Sequence, residues 1–212
     1  MRNNQLGRSM VEMLGVLAIV GVLSAGALAG YNKAMMQHKL NKNAEEINYL
    51  LSIAIYNNDK LKDASKDMIS ELSALGAYTW PLTTITEGSF INVFDSLQNQ
   101  IRFEHSSQTG STAFCVKLPA SEFAVKICQN YINIFKNFAD IADMIYVTRW
   151  TDEAEEQNIY AGKNCTTGKC MLTITNTDIL EMCKTWCSSA NRCNLYMLWD
   201  YPQSKVQSLL NQ

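Results

Sequence analysis

A single carboxylate stands at the head of the most apolar stretch of this 212-residue chain. Glu12 is followed by Met13 to Tyr31, a run without any charged side chain. As a helix rising about 1.5 Å per residue, that run would span roughly 28 Å, close to the thickness of a bilayer's hydrocarbon core. An acid next to lipid is costly, so its presence indicates a function and a partner for its charge.

The other residues that could form bonds or bind a metal are seven cysteines, all in the C-terminal half of the chain. Because the number is odd, at least one thiol stays out of any intrachain pair. If the apolar N-terminal run directs export, disulfides are the first interpretation of these cysteines. Zinc is the competing one, but no C-x2-C pair occurs and His38 and His105 lie far from the cysteines, so we expect no metal. The cysteines are Cys115, Cys128, Cys165, Cys170, Cys183, Cys187 and Cys193.

The N-terminus resembles the class III signal of type IV pilins and type II secretion pseudopilins. A short leader, MRNNQLG, ends in Gly7, Glu12 is the fifth residue after it, and an apolar stretch follows. The resemblance implies cleavage between Gly7 and Arg8 by a prepilin peptidase and methylation of the new N-terminus. It also implies that Glu12 pairs with the N-terminal amine of a neighbouring subunit. Arg8 stands where the family usually has Phe, and the segment 24–26 (SAG) is similar to the type IVb branch.

This resemblance implies an α+β, pilin-like fold, in which a long N-terminal α-helical spine packs on a small antiparallel sheet with extra helices and disulfides. The implied role is a structural subunit of a type IV pilus or pseudopilus. The prepilin would be held in the inner membrane by one span, with its head in the periplasm, before joining an extracellular pilus or a periplasmic pseudopilus. The implied partners are further copies of the chain, other pilins, the prepilin peptidase, the inner-membrane assembly platform and, before assembly, membrane lipid.

Two other interpretations of the N-terminus remain open. Ala27-Leu28-Ala29 before Gly30 also fits an ordinary secretory signal with an A-x-A cleavage site. The mature protein would then be a secreted, disulfide-bonded binding domain. The third interpretation is a plain uncleaved membrane anchor.

The helix is expected to continue past the apolar run to Tyr56 and to end at 57–59 (NND). Apolar residues recur there at spacings of three and four, as on one face of an amphipathic helix, and no proline interrupts them. We therefore divide the chain into a leader (1–7), a membrane or filament-core half-helix (8–31), an amphipathic half-helix (32–57) and a globular head (58–212) with a cysteine-rich C-terminal region. The stripe comprises Met35, Met36, Leu40, Ala44, Ile47, Leu50, Leu51, Ala54 and Ile55.

In the head, alternating apolar residues predict a hairpin of strands at 101–105 and 113–118, and further strands at 144–150 and 195–199. A short helix is expected between a cap at Ser65 and a glycine stop at Gly76. The segment 78–94 is expected to be irregular because it holds Pro81 and Gly88. A polar tail is expected after Pro202.

Two cysteine pairs have the same spacing, Cys115-x12-Cys128 and Cys170-x12-Cys183, offset by 55 residues. Each is predicted to form a short strand followed by a capped helix with an apolar stripe. The proposed caps and stripes are Ser121 with Phe123, Ile127, Tyr131, Ile134, Phe135 and Phe138, and Asn176 or Thr177 with Ile179, Met182 and Trp186.

Two short loops, from Cys165 to Cys170 and from Cys187 to Cys193, are also suited to closure by a disulfide. Seven cysteines allow on the order of a hundred ways to form three pairs, so the connectivity stays open.

Charge and motifs argue against several functional classes. The net charge of −2 makes no strong electrostatic case for a nucleic-acid partner or for binding to an acidic surface. The acidic residues Asp152, Glu153, Glu155 and Glu156 lack the EF-hand spacing, so a solvated loop is expected rather than a calcium site. No serine-hydrolase, zinc-protease, P-loop or dinucleotide motif occurs. A cysteine nucleophile would need a base such as His105; we expect no enzymatic activity and no cofactor.

The three interpretations of the N-terminus predict different mature chains. If the class III signal operates, N-terminal sequencing of the protein from membranes should begin at Arg8. A chain that begins at Gly30 would show that Glu12 has been discarded and would rule out the pilin interpretation. A chain that still begins at Met1 would identify an uncleaved anchor.

Overall fold

The computed structural model describes residues 4–64, 68–87, 90–150, 155–163, 165, 169–188 and 192–210. Within them the helices are α1 (Asn4–Tyr56), α2 (Asn58–Ala64), α3 (Met68–Ala74), α4 (Ala124–Lys136), α5 (Asn176–Trp186) and α6 (Gln203–Leu210). The strands are β1 (Thr84–Glu87), β2 (Phe90–Phe94), β3 (Gln100–His105), β4 (Thr112–Leu118), β5 (Met144–Trp150), β6 (Glu155–Ala161) and β7 (Cys193–Trp199).

The described strands form one sheet of seven in the order β1-β2-β3-β4-β7-β5-β6. Every pair of neighbours in it is antiparallel. A long N-terminal helix, an antiparallel sheet, further helices and disulfides are therefore all present, and the expected α+β class is confirmed. The sheet is larger than the small one expected. The last described strand, β7, lies inside the sheet between β4 and β5, so the cysteine-rich region supplies an interior strand.

The chain divides into two compact units, Met1–Asn41 and Lys42–Gln212. In the second unit, the last turns of α1 bury Ile47, Leu50, Leu51 and Ala54 completely. All four belong to the predicted stripe, and α1 ends at Tyr56 as predicted. Burial of three such large aliphatic side chains stabilises the head by roughly 1.5–3 kcal/mol each. Of the other stripe residues Leu40 is buried, whereas Met35, Met36, Ala44 and Ile55 are half-buried.

One face of the central strands carries the larger core. Phe114 on β4 meets Phe135 on α4 edge to face, with ring centroids 5.9 Å apart. Its strand neighbours Val116, Leu195 and Met197 are fully buried. The opposite face is covered at one end by α6, which buries Val206 in a smaller cluster. That cluster comprises Ala113, Cys115, Met144, Ala161, Tyr196, Leu198 and Val206.

A buried carboxylate, Asp95, joins three elements of the second unit. In the β2–β3 turn its Oδ1 accepts backbone N–H bonds from Leu97 (2.9 Å) and Asn99 (2.7 Å). Its Oδ2 accepts from Asn43 Nδ2 of α1 (3.0 Å), from Asn99 Nδ2 (2.9 Å) and from the Tyr131 hydroxyl of α4. Burial raises the pKa of Asp95, and the hydrogen bonds from Tyr131 and Asn99 oppose that rise. A polar group buried at this depth is tolerated because it is bonded on both oxygens.

The structure corrects the predicted boundary after α1. Asn58 and Asp59 do not form a loop but open α2. The Oδ1 atom of Asn58 accepts hydrogen bonds from Trp199 Nε1 (2.8 Å) and Thr112 Oγ1 (2.9 Å), which hold this helix start against β4 and β7. The predicted glycine stop of α3 is confirmed: Gly76 has φ +69, and the N–H of Ala77 bonds back to the carbonyl of Leu72. The predicted cap, Ser65, lies outside the described residues.

The prediction that 78–94 is irregular is wrong, because this segment contains β1 and β2. Both strands are short, and Pro81 lies just ahead of β1, where it removes no ladder hydrogen bond. The predicted hairpin at 101–105 and 113–118 is confirmed, as are the strands at 144–150 and 195–199.

Two further elements were missed. The first is β6, an edge strand, which begins at Glu155 and Glu156 where an acidic loop was expected. The polar tail after Pro202 is α6, and the carbonyl of Pro202 accepts from Lys205 and Val206 in its first turn. Proline is compatible with a helix start because the first N–H groups of a helix have no internal partner. It was wrongly taken as the end of regular structure.

The two predicted strand–helix repeats are only partly present. The helices α4 and α5 exist, but the segment before α5 makes an isolated bridge between Cys170 and Ala161 and then turns, rather than forming a strand. The cap of α5 is Thr175, in a capping box with Asp178, rather than Asn176 or Thr177. On α4 the cap position is Phe123, without a side-chain hydrogen bond, so Ser121 does not cap it. Phe123 is 45% exposed and Phe138 is half-buried, so neither belongs to the fully buried part of the stripe.

The Asp95 network leads to a prediction for Tyr131→Phe, with the exposed Tyr49→Phe on α1 as its matched control. Losing a hydroxyl donor to a buried carboxyl group should lower the free energy of unfolding by about 2 kcal/mol at pH 7. The control should change it by less than about 0.5 kcal/mol. The measurement is urea unfolding of the full chain in detergent micelles, followed by tryptophan fluorescence.

The loss of stability in Tyr131→Phe is expected to depend on pH. Because burial raises the folded-state pKa of Asp95 above its unfolded value, stability falls as the pH rises through the folded pKa. Removing the Tyr131 hydroxyl raises that pKa further, so the deficit of Tyr131→Phe should be smaller at about pH 3 than at pH 7. A deficit independent of pH, or one equal to that of Tyr49→Phe, would contradict the assigned network.

Candidate functional site

The first unit of the chain carries an apolar surface that the chain itself does not cover. From Met10 to Tyr31 every residue of α1 is exposed, including Val11 (70%), Leu17 (63%) and Leu23 (66%). An exposed hydrophobic surface of this extent marks an interaction with lipid or protein. By length and composition α1 is able to cross a membrane, with a mean hydropathy of 2.2 in its most apolar window.

Glu12 lies near the start of this exposed surface, inside the helix. Arg8 is four positions earlier on α1, and Gly7 directly precedes it. The leader residues 1–3 are outside the described part of the chain, and the side chains of residues 4–9, that of Arg8 among them, are outside it as well. The described structure thus places Glu12 in a regular helix beside the expected cleavage site, with apolar side chains following it.

Four glycines of this helix leave room on its surface. A Cβ atom added at Gly15, Gly21, Gly26 or Gly30 would meet no atom within 4 Å. No contact within the described chain therefore requires a glycine at these positions. Small residues on a membrane helix let the backbone of a second helix approach closely, so the surface is suited to helix–helix packing.

Six of the seven cysteines form three disulfides, of which two join cysteines close in sequence and one joins distant cysteines. Cys165 pairs with Cys170 and Cys187 with Cys193, which are the two short loops suggested by the sequence. The third disulfide joins Cys128 of α4 to Cys183 of α5, across 55 residues. The offset of 55 residues between the two equally spaced cysteine pairs is thus the separation of Cys128 and Cys183, which are bonded to each other.

Cys115 is in no disulfide and is fully buried on β4. Burial raises the pKa of its thiol to about 12, so the thiol stays protonated at neutral pH. His105, the base considered for a cysteine nucleophile, lies opposite Thr112 in the β3–β4 ladder, whereas Cys115 lies opposite Arg102. The structure therefore does not bring this histidine and this thiol together as a catalytic pair.

The described residues contain no group of three or more His, Cys, Asp or Glu side chains arranged to hold a metal ion. Of the acidic residues considered for calcium, Asp152 and Glu153 lie outside the described residues. The side chains of Glu155 and Glu156 also lie outside them.

Sequence reasoning missed the polar contacts that attach α1 to the head. Asn43 bonds Asp95 and also accepts from Asn130 Nδ2 (3.0 Å), and Asn48 Oδ1 accepts from Asn137 Nδ2 (3.2 Å). The available signal was a pair of asparagines five residues apart beside the apolar stripe. Their partners are 52 to 89 positions away in sequence, so no local pattern identifies them.

Among solved structures, the chain is similar to the crystal structure of a type IV b pilin from Salmonella typhi. The two sequences are 10% identical, the match covers 73% of this chain and 97% of that one, and the TM-score is 0.40. No protein-family model matches the chain, and no curated protein matches it. A likeness this distant carries no functional argument, so the function has to follow from this chain's own residues.

The disulfides lead to a prediction about stability. Replacing Cys128 and Cys183 together by serine opens a loop of 55 residues and should lower the free energy of unfolding by about 4 kcal/mol. The matched control, Cys187→Ser with Cys193→Ser, opens a loop of six and should cost about 2 kcal/mol. Urea unfolding of the full chain in detergent micelles measures both. Equal losses in the two double variants would show that loop length does not govern their stabilisation.

Proposed function

We propose that this chain is a structural subunit of a type IV pilus or a related pseudopilus. It is made as a prepilin in the inner membrane, cleaved after Gly7 and polymerised through packing of its N-terminal helix. The observation that carries the proposal is the exposed apolar surface of α1 from Met10 to Tyr31, with the carboxylate of Glu12 near its start.

The apolar surface supports both stages of this life cycle. Before assembly, the half-helix 8–31 spans the inner membrane once and anchors the chain, and the head, 58–212, lies in the periplasm. After assembly, the same side chains pack against those of neighbouring copies, and the positions of the four glycines allow close approach of the helices. The amphipathic half-helix 32–57 connects the two parts, because α1 continues through it without a break.

Glu12 supplies the directional interaction that apolar packing lacks. In the filament core water is excluded, so the attraction between its carboxylate and a neighbour's N-terminal amine is much stronger than in water. The α-amine at Arg8 exists only after cleavage at Gly7, so the pairing couples processing to assembly. The Arg8 side chain offers a second positive charge at the same end of the helix. We expect the new N-terminus to be methylated.

The proposal includes specific partners. A prepilin peptidase cuts the leader, an inner-membrane assembly platform adds the subunit, and other pilins accompany it in the filament. The finished assembly is an extracellular pilus or a periplasmic pseudopilus. The disulfides support a location outside the cytoplasm, since oxidising compartments are where they persist.

Glu12→Gln tests the proposal, with Glu45→Gln as the matched control on an exposed position of the same helix. Both changes remove one carboxylate and keep the side-chain size. Glu12→Gln should leave the protein in the membrane fraction but reduce sheared filaments about tenfold or more, because the core charge pair is lost. Glu45→Gln should assemble like wild type.

The readout is immunoblotting of sheared filaments against membrane-held subunit. Equal filament yield from wild type and Glu12→Gln would remove the proposed role of this carboxylate. If Glu12→Gln instead lowers the membrane-held pool, its effect is on insertion, and the assembly proposal is contradicted.

A further inference from the structure

A cationic cleft lies on the face of the sheet opposite to the larger core, beyond the end covered by α6. It has a volume of about 730 Å³, which is within the usual range for a small-ligand site. It opens over three neighbouring strands, β3, β4 and β7. It belongs wholly to the second unit of the chain, so its geometry is independent of the N-terminal helix surface.

Two rows of side chains form the floor of the cleft. Gln100, Lys117 and Asn194 occupy matching positions on β3, β4 and β7. Two residues further along these strands, Arg102 on β3 and Tyr196 on β7 lie opposite Cys115 on β4. Successive side chains on one face of a strand are about 6.8 Å apart, and neighbouring strands about 4.8 Å, so the two rows lie within reach of one small ligand.

Three positively charged residues line this space, namely Arg102, Lys117 and Arg192. Glu104 pairs with the Nε of Arg102 and fixes the direction of that guanidinium. Arg192 is exposed and directly precedes Cys193, whose disulfide to Cys187 anchors the residue at the cleft. Of the described residues that line the cleft, three are cationic and none is acidic, within a chain whose net charge is −2.

Uncharged groups complete the lining. The amides of Gln98, Gln100 and Asn194 offer both donors and acceptors, and Phe94, Leu118 and Pro119 form an apolar wall. Amides suit hydroxyl groups, an apolar wall suits the C–H face of a sugar ring, and arginine and lysine suit a carboxylate.

The alternatives fit less well. An extended peptide that binds by adding a strand to a sheet edge finds no place at this cleft, because β4 and β7 are paired on both sides and present no free edge here. A single-stranded nucleic acid is held along an extended basic groove with stacking platforms, whereas this cleft is short and the whole chain is slightly acidic.

We propose that this cleft binds an acidic saccharide, with Arg102, Lys117 and Arg192 holding its carboxylate groups and the amides holding its hydroxyls. The site is a surface feature of the head and does not depend on filament assembly. It gives the protein a recognition function in addition to the structural one.

The test is isothermal titration of the full chain in detergent micelles with a hyaluronan tetrasaccharide, which carries two glucuronates. Chitotetraose, of equal length and uncharged, is the ligand control. We expect saturable 1:1 binding of the acidic sugar that weakens at about 0.5 M salt, and binding of chitotetraose at least about tenfold weaker.

Arg192→Gln and Lys117→Gln should each weaken binding of the acidic sugar by about fivefold or more. Lys126→Gln is the matched charge control, because Lys126 is exposed on α4 and does not line the cleft. It should change the affinity less than about twofold. Glu12→Gln should bind like wild type, which separates this proposal from the assembly role of the helix. Unchanged melting temperatures will show that the variants are folded.

Several outcomes would overturn the proposal. They are no binding of the acidic sugar, equal binding by Arg192→Gln and wild type, or equal binding of chitotetraose. Complete displacement of the sugar by equimolar inorganic phosphate would reduce the cleft to a general anion site. Tighter binding of a short oligothymidylate, lost in Arg192→Gln, would assign the cleft to nucleic acid instead.

Discussion

Removal of the apolar side chains between Met10 and Tyr31 from water is the constraint on which this molecule depends. All residues of that segment are exposed in the single chain, although they are mostly aliphatic. At roughly 25 cal/mol per Å² of apolar surface, leaving such a helix in water is prohibitive, so it has to be covered by lipid or by other helices. A bilayer and a bundle of like helices both satisfy this requirement, and exchange between them is the proposed assembly step. In the proposed assembly the charge of Glu12 selects one register, because apolar packing has no direction of its own.

The last turns of the same helix are, in contrast, fixed to the head. They are held there by fully buried aliphatic side chains, including Ile47, Leu50 and Leu51, and by Asp95, which accepts hydrogen bonds from α1, from its own turn and from α4. A pull transmitted along the helix would therefore meet both apolar packing and a bonded buried carboxylate. Disulfides add a second kind of restraint. The bond from Cys128 to Cys183 ties α4 to α5, while the two short loops stabilise only local turns.

The two faces of the sheet differ in what covers them. One face packs on α4 and forms the larger core, so its side chains are apolar and closely packed. The other face is covered by α6 at one end only. Where that cover stops, the outward positions of β3, β4 and β7 carry Gln100, Arg102, Lys117 and Asn194 and create the cationic cleft. Partial cover by the short helix α6 thus determines where the cleft lies.

The sequence by itself determined the features that rest on local periodicity and composition. These are the long helix, its buried stripe, the hairpin strands, the strands at 144–150 and 195–199, and the possibility of two short disulfide loops. Each depends on residues close together in the chain, where spacings of two, three or four positions report which face is buried. The same local logic failed at Pro202, which directly precedes α6 and does not mark the end of regular structure.

Only the tertiary structure decided what joins distant residues. It placed β7 between β4 and β5, bonded Cys128 to Cys183, buried Asp95 beneath Asn43 and Tyr131, and gathered Arg102, Lys117 and Arg192 at one cleft. The physical reason is that these contacts depend on strand order and helix docking, which minimise exposed apolar area over the whole head. No short window of sequence contains that information.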